Sequence, residues 1–380
     1  MSDNPSSVRH VLITGANGFI GKNLIARLNE LPDTRVSTFT RADDPNRLSE
    51  LVAQVDAVVH LAAENRPADA AAFAEVNTGL TKWLCTAIEQ ELTANGRHVP
   101  IVFASSTQAE SDNPYGRSKL AAEQALEALA VATGNPCAIF RLPGVFGKWC
   151  KPNYNSVVAT FCYNLARGLD IQIHDPDAIV RLVYIDDVVD ALLNTIEKIH
   201  QGCSRVVVKP EYTMTLAHLA AQLRAFASCR VDLMSERVGT GLVRALYATY
   251  VSYLPPDKFS YGVAQHADPR GVFVEMLKTP DSGQFSYFTA HPGVTRGGHY
   301  HHSKTEKFLV IQGEALFRFR HLLTDEVVEL RTSGKKPEVV DTIPGWVHDI
   351  TNIGSQEMIV MLWANENFDR QRPDTFASRI

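Results

Sequence analysis

The chain has 380 residues, of which 45% are hydrophobic and 21% are charged, and its formal net charge is −5. This length predicts two domains, and the composition is that of an ordinary globular protein. The mild acidity and the lack of a long basic run argue against nucleic acid and anionic membranes as main partners.

The compartment follows from two further features of the sequence. No apolar run reaches membrane-spanning length, and the first ten residues, MSDNPSSVRH, lack the core of a signal peptide. The six cysteines form no Cys-x-x-Cys pair, which is typical of reduced thiols. We therefore expect a cytoplasmic protein.

A glycine-rich turn follows the first predicted strand. The apolar run 11–13 leads into GANGFIG at 15–21, and a helical pattern continues to about residue 31. Strand, glycine turn and helix are the context of a dinucleotide-binding fingerprint, whose glycines allow a tight turn and close approach of a pyrophosphate. The predicted cofactor-binding residues here are Gly15, Asn17, Gly18, Phe19, Ile20 and Gly21.

The end of the second predicted strand, 35–39, bears on which dinucleotide is bound. An acidic residue there would favour NAD, but the chain has Thr40 and Arg41. A guanidinium suits a 2′-phosphate, so Arg41 predicts NADPH, the alternative being a solvated loop arginine. Small residues follow the third predicted strand, and we expect Leu61 and Ala62 there to lie under the cofactor.

Two polar side chains of this region have predicted structural roles. His60, within DAVVHLAA at 56–63, is predicted to be a packed, hydrogen-bonded histidine rather than a catalyst. Asn77, in the helical pattern 68–89, is a candidate for pairing with backbone near the active site.

The segment after the fourth predicted strand carries candidate acid–base chemistry. The buried-type run 101–104 is followed by Ser105 and Ser106, and Asn113 with Pro114 predicts a helix start. Tyr115 and Lys119 are then one turn apart on one helix face. The ammonium is expected to lower the phenol pKa, so that Tyr115 can deliver a proton while a serine hydroxyl holds the substrate oxygen. The alternative is an ordinary amphipathic helix with a surface lysine.

Strands alternating with helices predict an α/β fold with a doubly wound, parallel Rossmann-type sheet. After the fifth strand, 137–142, a loop with Asn153 and Tyr154 occupies the place where such folds bind substrate. Arg181, in a short strand, is a candidate clamp for a phosphate or carboxylate, although a structural salt bridge is the alternative. Asp186 or Asp187 is expected to cap the next helix.

Residues from about 8 to 240 resemble an extended short-chain dehydrogenase/reductase. The matching features are GANGFIG, DAVVHLAA, the strand end at Ser106, Tyr115-x-x-x-Lys119, RLPGVFG and YIDDVV. The resemblance implies that Ser106, Tyr115 and Lys119 are the catalytic hydroxyl, acid and orienting cation, with Lys119 also contacting the cofactor. The dehydratases of this family carry an Asp-Glu pair where this chain has Thr107-Gln108, so carbonyl reduction is preferred over dehydration.

The pattern of polar and apolar residues changes after about residue 270. Short alternating runs separated by turn residues predict an all-β antiparallel barrel or jelly roll. We place the domains at 1–245 and 269–380, with a connector at 246–268. Histidines two apart on a strand share a face, so His299 and His301 can converge with Glu306. A second segment brings His348. Three imidazoles and a carboxylate predict a metal site, with Zn²⁺ the first choice and Ni, Mn or Fe after it.

The two metal-ligand segments resemble the two cupin motifs, and the chain from end to end resembles the bifunctional capsular-polysaccharide and O-antigen enzymes of the CapF or WbjC type. That resemblance implies a UDP-linked 4-keto amino sugar as substrate. The cupin half would epimerise C3 of UDP-2-acetamido-2,6-dideoxy-4-hexulose. The reductase half would then reduce C4 with NADPH, giving the L-talose derivative of UDP-N-acetyl-L-fucosamine synthesis.

Three questions stay open on the sequence alone. The base of the epimerisation is unassigned, with Tyr300, His302, Lys304 and Asp349 as candidates. A homodimer is expected, because cupin barrels often pair. The alternative function is an NADPH-binding sugar or redox sensor with a structural cupin dimerisation domain.

Overall fold

The computed structural model describes residues 10–65, 69, 73–259, 261–302, 304–371 and 373–380. The chain divides into two compact units: residues 1–221 with 245–254, and residues 222–244 with 255–380. The domain boundaries predicted from the sequence, 1–245 and 269–380 with a connector at 246–268, remain a prediction. No helix within the described ranges is both long and apolar enough to cross a membrane.

The first unit is built on a six-stranded parallel sheet with the strand order β2-β1-β3-β4-β5-β8. These strands are β1 His10–Thr14, β2 Arg35–Phe39, β3 Ala57–His60, β4 Ile101–Ser106, β5 Cys137–Leu142 and, after β6 and β7, β8 Cys203–Val206. The inner strands are apolar without alternation because both of their faces are covered. The predicted doubly wound sheet is thus confirmed.

Helices cover this sheet in two groups. α1 Phe19–Leu28 packs with α6 Ile185–Lys198, and α3 Leu80–Asn95 packs between α2 Arg47–Val52 and α4 Pro114–Thr133. The remaining helices are α5 Val157–Ala166, α7 Leu216–Asp232 and α8 Gly241–Ser252, with a π-helical turn at Phe73–Gly79 and 3-10 turns at Thr107–Glu110 and Pro256–Lys258. The N-terminal part of the helical pattern predicted for 68–89 includes 68 and 70–72, which lie outside the described residues.

The glycine turn after β1 is dictated by close backbone packing. Gly15 has φ 74°, and a Cβ there would lie 2.7 Å from the backbone nitrogen of Ala62. A Cβ on Gly21 would lie 2.5 Å from the carbonyl oxygen of Gly15. Only glycine fits both positions, as the fingerprint predicts.

The start of α4 also matches its prediction. The Asn113 side chain accepts a hydrogen bond from the backbone nitrogen of Gly116 at 2.8 Å, and Pro114 occupies the first turn. The cap predicted for α6 was wrong: the residue before the helix is Tyr184, with no side-chain cap hydrogen bond, and Asp186 and Asp187 lie inside the first turn. Acidic residues there interact favourably with the helix dipole.

A small sheet completes the first unit. β6 Gly144–Phe146 pairs in parallel with β7 Ile179–Tyr184, and β7 pairs antiparallel with β9 Tyr212–Thr215.

The second unit contains two antiparallel sheets that form the predicted jelly roll. One has the order β10-β11-β12-β19-β14-β17 and the other β16-β15-β18-β13-β20. The strands are β10 His266–Asp268, β11 Gly271–Lys278, β12 Gln284–Ala290, β13 Thr295–Tyr300, β14 Glu306–Gln312, β15 Glu314–His321, β16 Val327–Ser333, β17 Val339–Asp341, β18 Trp346–Asn352, β19 Met358–Ala364 and β20 Phe376–Ala377. Inward-facing residues such as Phe288, Phe308 and Phe317 form its core.

A β-bulge in β13 sets the direction of its side chains. Arg296 pairs with the buried Ile350 of β18, and His299 pairs with His348, with a register shift between Gly297 and His299. Strict alternation would put positions 296 and 299 on opposite faces. The extra residue, supported by positive φ at Gly297 (93°) and Gly298, allows both side chains to face the interior.

Candidate functional site

The first unit contains a cleft of about 530 Å³ at the carboxyl ends of its parallel strands. The sequence-predicted residues that line it are Gly15, Asn17, Gly18, Phe19, Ile20, Gly21, Arg41, Leu61, Ser106, Tyr115, Lys119 and Tyr154. Ala62, Asn153 and Arg181 are not part of its described lining. This is the place at which α/β sheets of this type bind ligands.

Ser106, Tyr115 and Lys119 are brought together by β4 and α4. Ser106 is the last residue of β4, and Tyr115 lies in the first turn of α4. Lys119, one turn later, is 2% exposed, and its Nζ donates a hydrogen bond to the carbonyl oxygen of Ala104 at 2.7 Å. The ammonium also lies 4.6 Å from the ring centroid of Phe103, within cation–π range.

Burial dominates the electrostatics of this group. Desolvation lowers the pKa of Lys119 to about 7, although Glu123 opposes the shift. Desolvation likewise raises the pKa of Tyr115, and the hydrogen bond with Ser106 only partly offsets it. The prediction that Lys119 lowers the phenol pKa was therefore wrong for this arrangement, because the lysine is itself desolvated and is directed at Ala104.

Two predicted structural residues support the cleft. His60 is fully buried, and its ring nitrogens bond to the hydroxyls of Thr14 (2.6 Å) and Thr81 (2.9 Å). Asn77 accepts a hydrogen bond from the backbone nitrogen of Glu64 at 2.7 Å and donates to its carbonyl oxygen at 3.1 Å. Both predictions are confirmed.

The two arginines with predicted ligand roles both have acidic partners. Arg41 follows β2 and is ion-paired with Glu64, which also lines the cleft. Its side chain is 76% exposed, so a second anion can reach it. Arg181 on β7 is paired with Glu211 at 2.5 Å, as in the alternative reading of that residue.

Behind the cleft lies an ion pair that sequence reasoning missed. Glu123 of α4 is fully buried and binds Arg141 of β5 through both carboxylate oxygens, at 3.0 to 3.1 Å from Nε and 2.7 Å from Nη2. Ser105 donates to the same carboxylate at 2.5 Å. These contacts fix the end of β4 against α4, on which Ser106 and Tyr115 depend.

In the second unit, the predicted metal ligands converge. One ligand atom from each of His299, His301, Glu306 and His348 lies within 4.8 Å of the others. The ring of His299 lies 4.6 Å from that of His348 and 4.9 Å from that of His301, centroid to centroid. Residues from β13, β14, β18 and the turn after β13 therefore meet at one point.

The hydrogen bonds of this cluster fit a metal ion. Nδ1 of His301 bonds to the carbonyl oxygen of Asp374, which leaves Nε2 facing Glu306 at 3.2 Å. Such a backbone bond is the usual way in which a ligating histidine is oriented. Among the described residues, both ring nitrogens of His348 are buried without a hydrogen-bond partner. A divalent first-row metal would satisfy the one of these two nitrogens that ligates it.

The charge state of the cluster also suits a cation. Burial, with His348 and His301 nearby, lowers the pKa of His299 to about 4, so this imidazole is neutral and able to ligate. Burial acts to raise the pKa of Glu306, but His301, His348 and Lys304 outweigh it, and the net shift is downward. Glu306 is thus an anion beside the neutral imidazole of His299.

Comparison with known proteins assigns the family. Residues 11–208 match the NAD dependent epimerase/dehydratase family, and residues 266–376 match the polysaccharide biosynthesis C-terminal domain. The chain is 54% identical over 370 residues, 97% of its length and 98% of the relative's, to UDP-2-acetamido-2,6-beta-L-arabino-hexul-4-ose reductase of Pseudomonas aeruginosa strain PA103.

The solved structures agree with this result. Capsular polysaccharide assembling protein CapF from Staphylococcus aureus has 40% identity and a TM-score of 0.87, with 97% of this chain and 100% of that one covered. CapF with the inhibitor 3-isopropenyl-tropolone has 37% identity and a TM-score of 0.82, with 98% and 100% covered. The chain belongs to the CapF family.

The candidate bases of this CapF-family chain are all engaged in other contacts. Tyr300 stacks on Phe376 with centroids 5.3 Å apart, and its ring also meets that of His302. Lys304 pairs with Glu306 at 2.9 Å. Asp349 is held by two hydrogen bonds from Arg318, at 3.0 and 2.5 Å.

The cavity beside the metal-ligand cluster contains residues that the sequence did not point to. It has a volume of about 150 Å³, and Arg270 and Arg296 line it together with His299, Glu306 and His348. An isolated arginine in a strand carries no signal of its own, because the bulge that turns Arg296 inward is a three-dimensional feature.

Proposed function

We propose that the chain is a bifunctional enzyme acting on a UDP-linked 4-keto amino sugar. The second unit epimerises C3 of UDP-2-acetamido-2,6-dideoxy-4-hexulose, and the first unit then reduces C4 with NADPH to UDP-2-acetamido-2,6-dideoxy-L-talose. The observation that carries the proposal is the 54% identity, over nearly the whole of both chains, to a reductase of a UDP-linked hexul-4-ose. The cleft in the first unit and the metal-ligand cluster in the second support the proposal of two activities.

In the cleft, residues of β4 and α4 donate the proton that the ketone oxygen takes up on reduction. The glycine turn and Arg41 would hold NADPH, Arg41 through the 2′-phosphate, and the cofactor would supply the hydride when bound. Tyr115 gives its proton to the oxygen of C4, and the Ser106 hydroxyl donates a hydrogen bond to the same oxygen. The raised pKa of Tyr115 keeps the phenol protonated until then. Lys119 holds the end of β4 through its hydrogen bond to the carbonyl oxygen of Ala104.

In the cavity, the proposed reaction is proton exchange at the carbon next to the ketone. His299, His301, Glu306 and His348 would hold a divalent metal, with Zn²⁺ the first choice, and this metal would stabilise negative charge on the ketone oxygen. The apolar walls, among them Phe288 and Phe317, exclude water from the reacting carbon. Both activities then use one carbonyl group.

The setting of the enzyme is also part of the proposal. The six cysteines are all free thiols, in keeping with a reducing cytoplasm. We expect a homodimer that works in the synthesis of a capsule or O-antigen.

The reductase half is tested by following NADPH oxidation with a supplied UDP-linked 4-keto sugar. Tyr115→Phe removes the proton donor and should lower kcat about 10²- to 10⁴-fold. Tyr163→Phe is the matched control, because Tyr163 does not line the described cleft, and it should keep the wild-type rate. An enzyme that binds NADPH but never consumes it would instead support a sensor.

A further inference from the structure

The cavity of the second unit is lined by an arginine that the proposed chemistry has not used. The side chain of Arg296 is 13% exposed and lines the same cavity as the metal-ligand cluster. Its guanidinium carbon lies 5.1 Å from the ring centroid of the buried Phe288. The bulge at Gly297 directs it inward, on the same face as His299.

The hydrogen-bonding edge of Arg296 has no partner. Within the described part of the chain, its Nε and Nη2 atoms are buried and make no hydrogen bond. This edge is the one that binds a carboxylate or a phosphate through two parallel bonds. Arg270 uses it to bind Asp268, and Arg318 uses it to bind Asp349. A desolvated guanidinium is costly to leave unsatisfied, so the geometry calls for a ligand with two oxygens.

The charges around Arg296 favour an anion. The nearby carboxylate, Asp268, lies 3.9 Å from Nη2, beyond hydrogen-bond distance, and is already bound to Arg270. Asp268 stays ionised at neutral pH, because Arg270 holds its pKa at about 2. The two arginines and one aspartate therefore carry a net charge of +1. The other carboxylates that line the cavity, Glu306 and Asp349, are paired with Lys304 and Arg318. Arg270 is 56% exposed, so the positive charge extends from the surface into the cavity.

The size of the cavity limits which part of the substrate can enter. At about 150 Å³, it is smaller than the roughly 300–1,000 Å³ of pockets that enclose whole drug-sized ligands. A hexulose ring can occupy it, while the nucleotide has to remain outside. The group that joins the two, and therefore passes the arginines, is the diphosphate.

We propose that Arg296 binds the diphosphate of the nucleotide-sugar through its Nε–Nη2 edge, with Arg270 at the rim, and thereby directs the hexulose toward His299, Glu306 and His348. This inference rests on the proposed function for the identity of the sugar. The diphosphate subsite itself follows from the contacts of Arg296. Arg296 is then a residue that determines specificity for nucleotide-linked over free sugars.

The test is calorimetric titration of the full-length metal-loaded protein with UDP. Arg296→Gln should bind one equivalent of UDP fewer than the wild type. Arg296→Lys keeps the positive charge but loses the guanidinium that makes two parallel hydrogen bonds, so it should bind that equivalent weakly. Arg331→Gln, at an exposed position of β16, is the matched control and should bind like the wild type. Thermal unfolding of each variant verifies the fold, and Arg296→Lys decides the matter if Arg296→Gln does not fold.

Kinetics of C3 hydrogen exchange give a second reading. Arg296→Gln should raise the KM of the UDP-linked ketone about 10- to 100-fold, because the variant loses a pair of charge-assisted hydrogen bonds to the substrate. The kcat should change little. Unchanged UDP stoichiometry in both Arg296 variants would overturn the inference. If the wild type shows no exchange but Arg296→Gln still loses a UDP site, the epimerase proposal fails and the diphosphate subsite stands.

Discussion

At the scale of single residues, the cleft is governed by how far Lys119 and Tyr115 are removed from water. Burial favours the neutral form of each group, which gives a protonated phenol and a lysine that loses its proton easily. A phosphate-bearing cofactor placed beside Lys119 would favour its charged form again.

The buried lysine gives a prediction about pH and stability. Its proton is held up to pH about 10.5 in the unfolded chain but released near pH 7 in the folded one. Between these values the unfolded state binds more protons, so the free energy of unfolding rises with pH, by at most about 1.4 kcal/mol per pH unit. The wild type should therefore gain stability relative to Lys119→Met from pH 7 to 9.

Urea unfolding of both proteins at several pH values measures this difference. All other titrating groups are common to the two chains and cancel. A difference that stays constant with pH would mean that Lys119 keeps its proton in the folded state.

The sequence pointed to most of the residues that the structure brings together in the cleft and in the metal-ligand cluster, because they belong to short motifs. The glycine turn, the Tyr-x-x-x-Lys spacing and the paired histidine segments each place functional groups within one or two turns of a known element. Arg181 could not be assigned in this way, because its partner Glu211 is 30 residues away in the sequence, just before strand β9. The same applies to Arg296, whose direction depends on the register of β13 against β18.

At the scale of elements, the bulged strand β13 connects the metal-ligand cluster with Arg296. Alternating runs in the sequence predict the strands of the jelly roll, since each has one buried face. They cannot predict a bulge, because an extra residue shows itself only through the pairing with a neighbour. The glycines at 297 and 298 are the one sequence feature near the bulge that indicates it.

This dependence can be tested by adding a Cβ to the bulge. In Gly297→Ala the new Cβ would lie 2.9 Å from the carbonyl oxygen of His348 and 3.1 Å from Cα of Asp349, at φ 93°. Strand β13 has to move, so we expect a loss of bound metal together with a loss of stability above about 1 kcal/mol.

Gly293→Ala is the matched control. Gly293 also has positive φ, 76°, but a Cβ there meets nothing within 4 Å. This variant should lose only about 1 kcal/mol and keep its metal. Metal content by atomic emission and thermal unfolding distinguish the two variants. Equal metal loss in both would show that the bulge in β13 does not position the metal ligands.

At the scale of the whole molecule, the proposed function has two units with separate cores act on one carbonyl compound. The change from a helix-and-strand pattern to short alternating strands predicted both folds. It did not predict that residues 222–244 group with the second unit and 245–254 with the first, because such an exchange of segments depends on long-range packing. In our account, one unit transfers a hydride and the other transfers a proton.

The most direct measurement is NMR of the UDP-linked 4-keto sugar in D₂O with the enzyme, first without and then with NADPH. Without NADPH, we expect deuterium to enter at C3 with the wild type and with Tyr115→Phe, but not with His348→Ala. After NADPH is added, the wild-type product should carry that deuterium. Exchange at the wild-type rate in His348→Ala, or in protein stripped of metal, would contradict the division of the two activities between the two units.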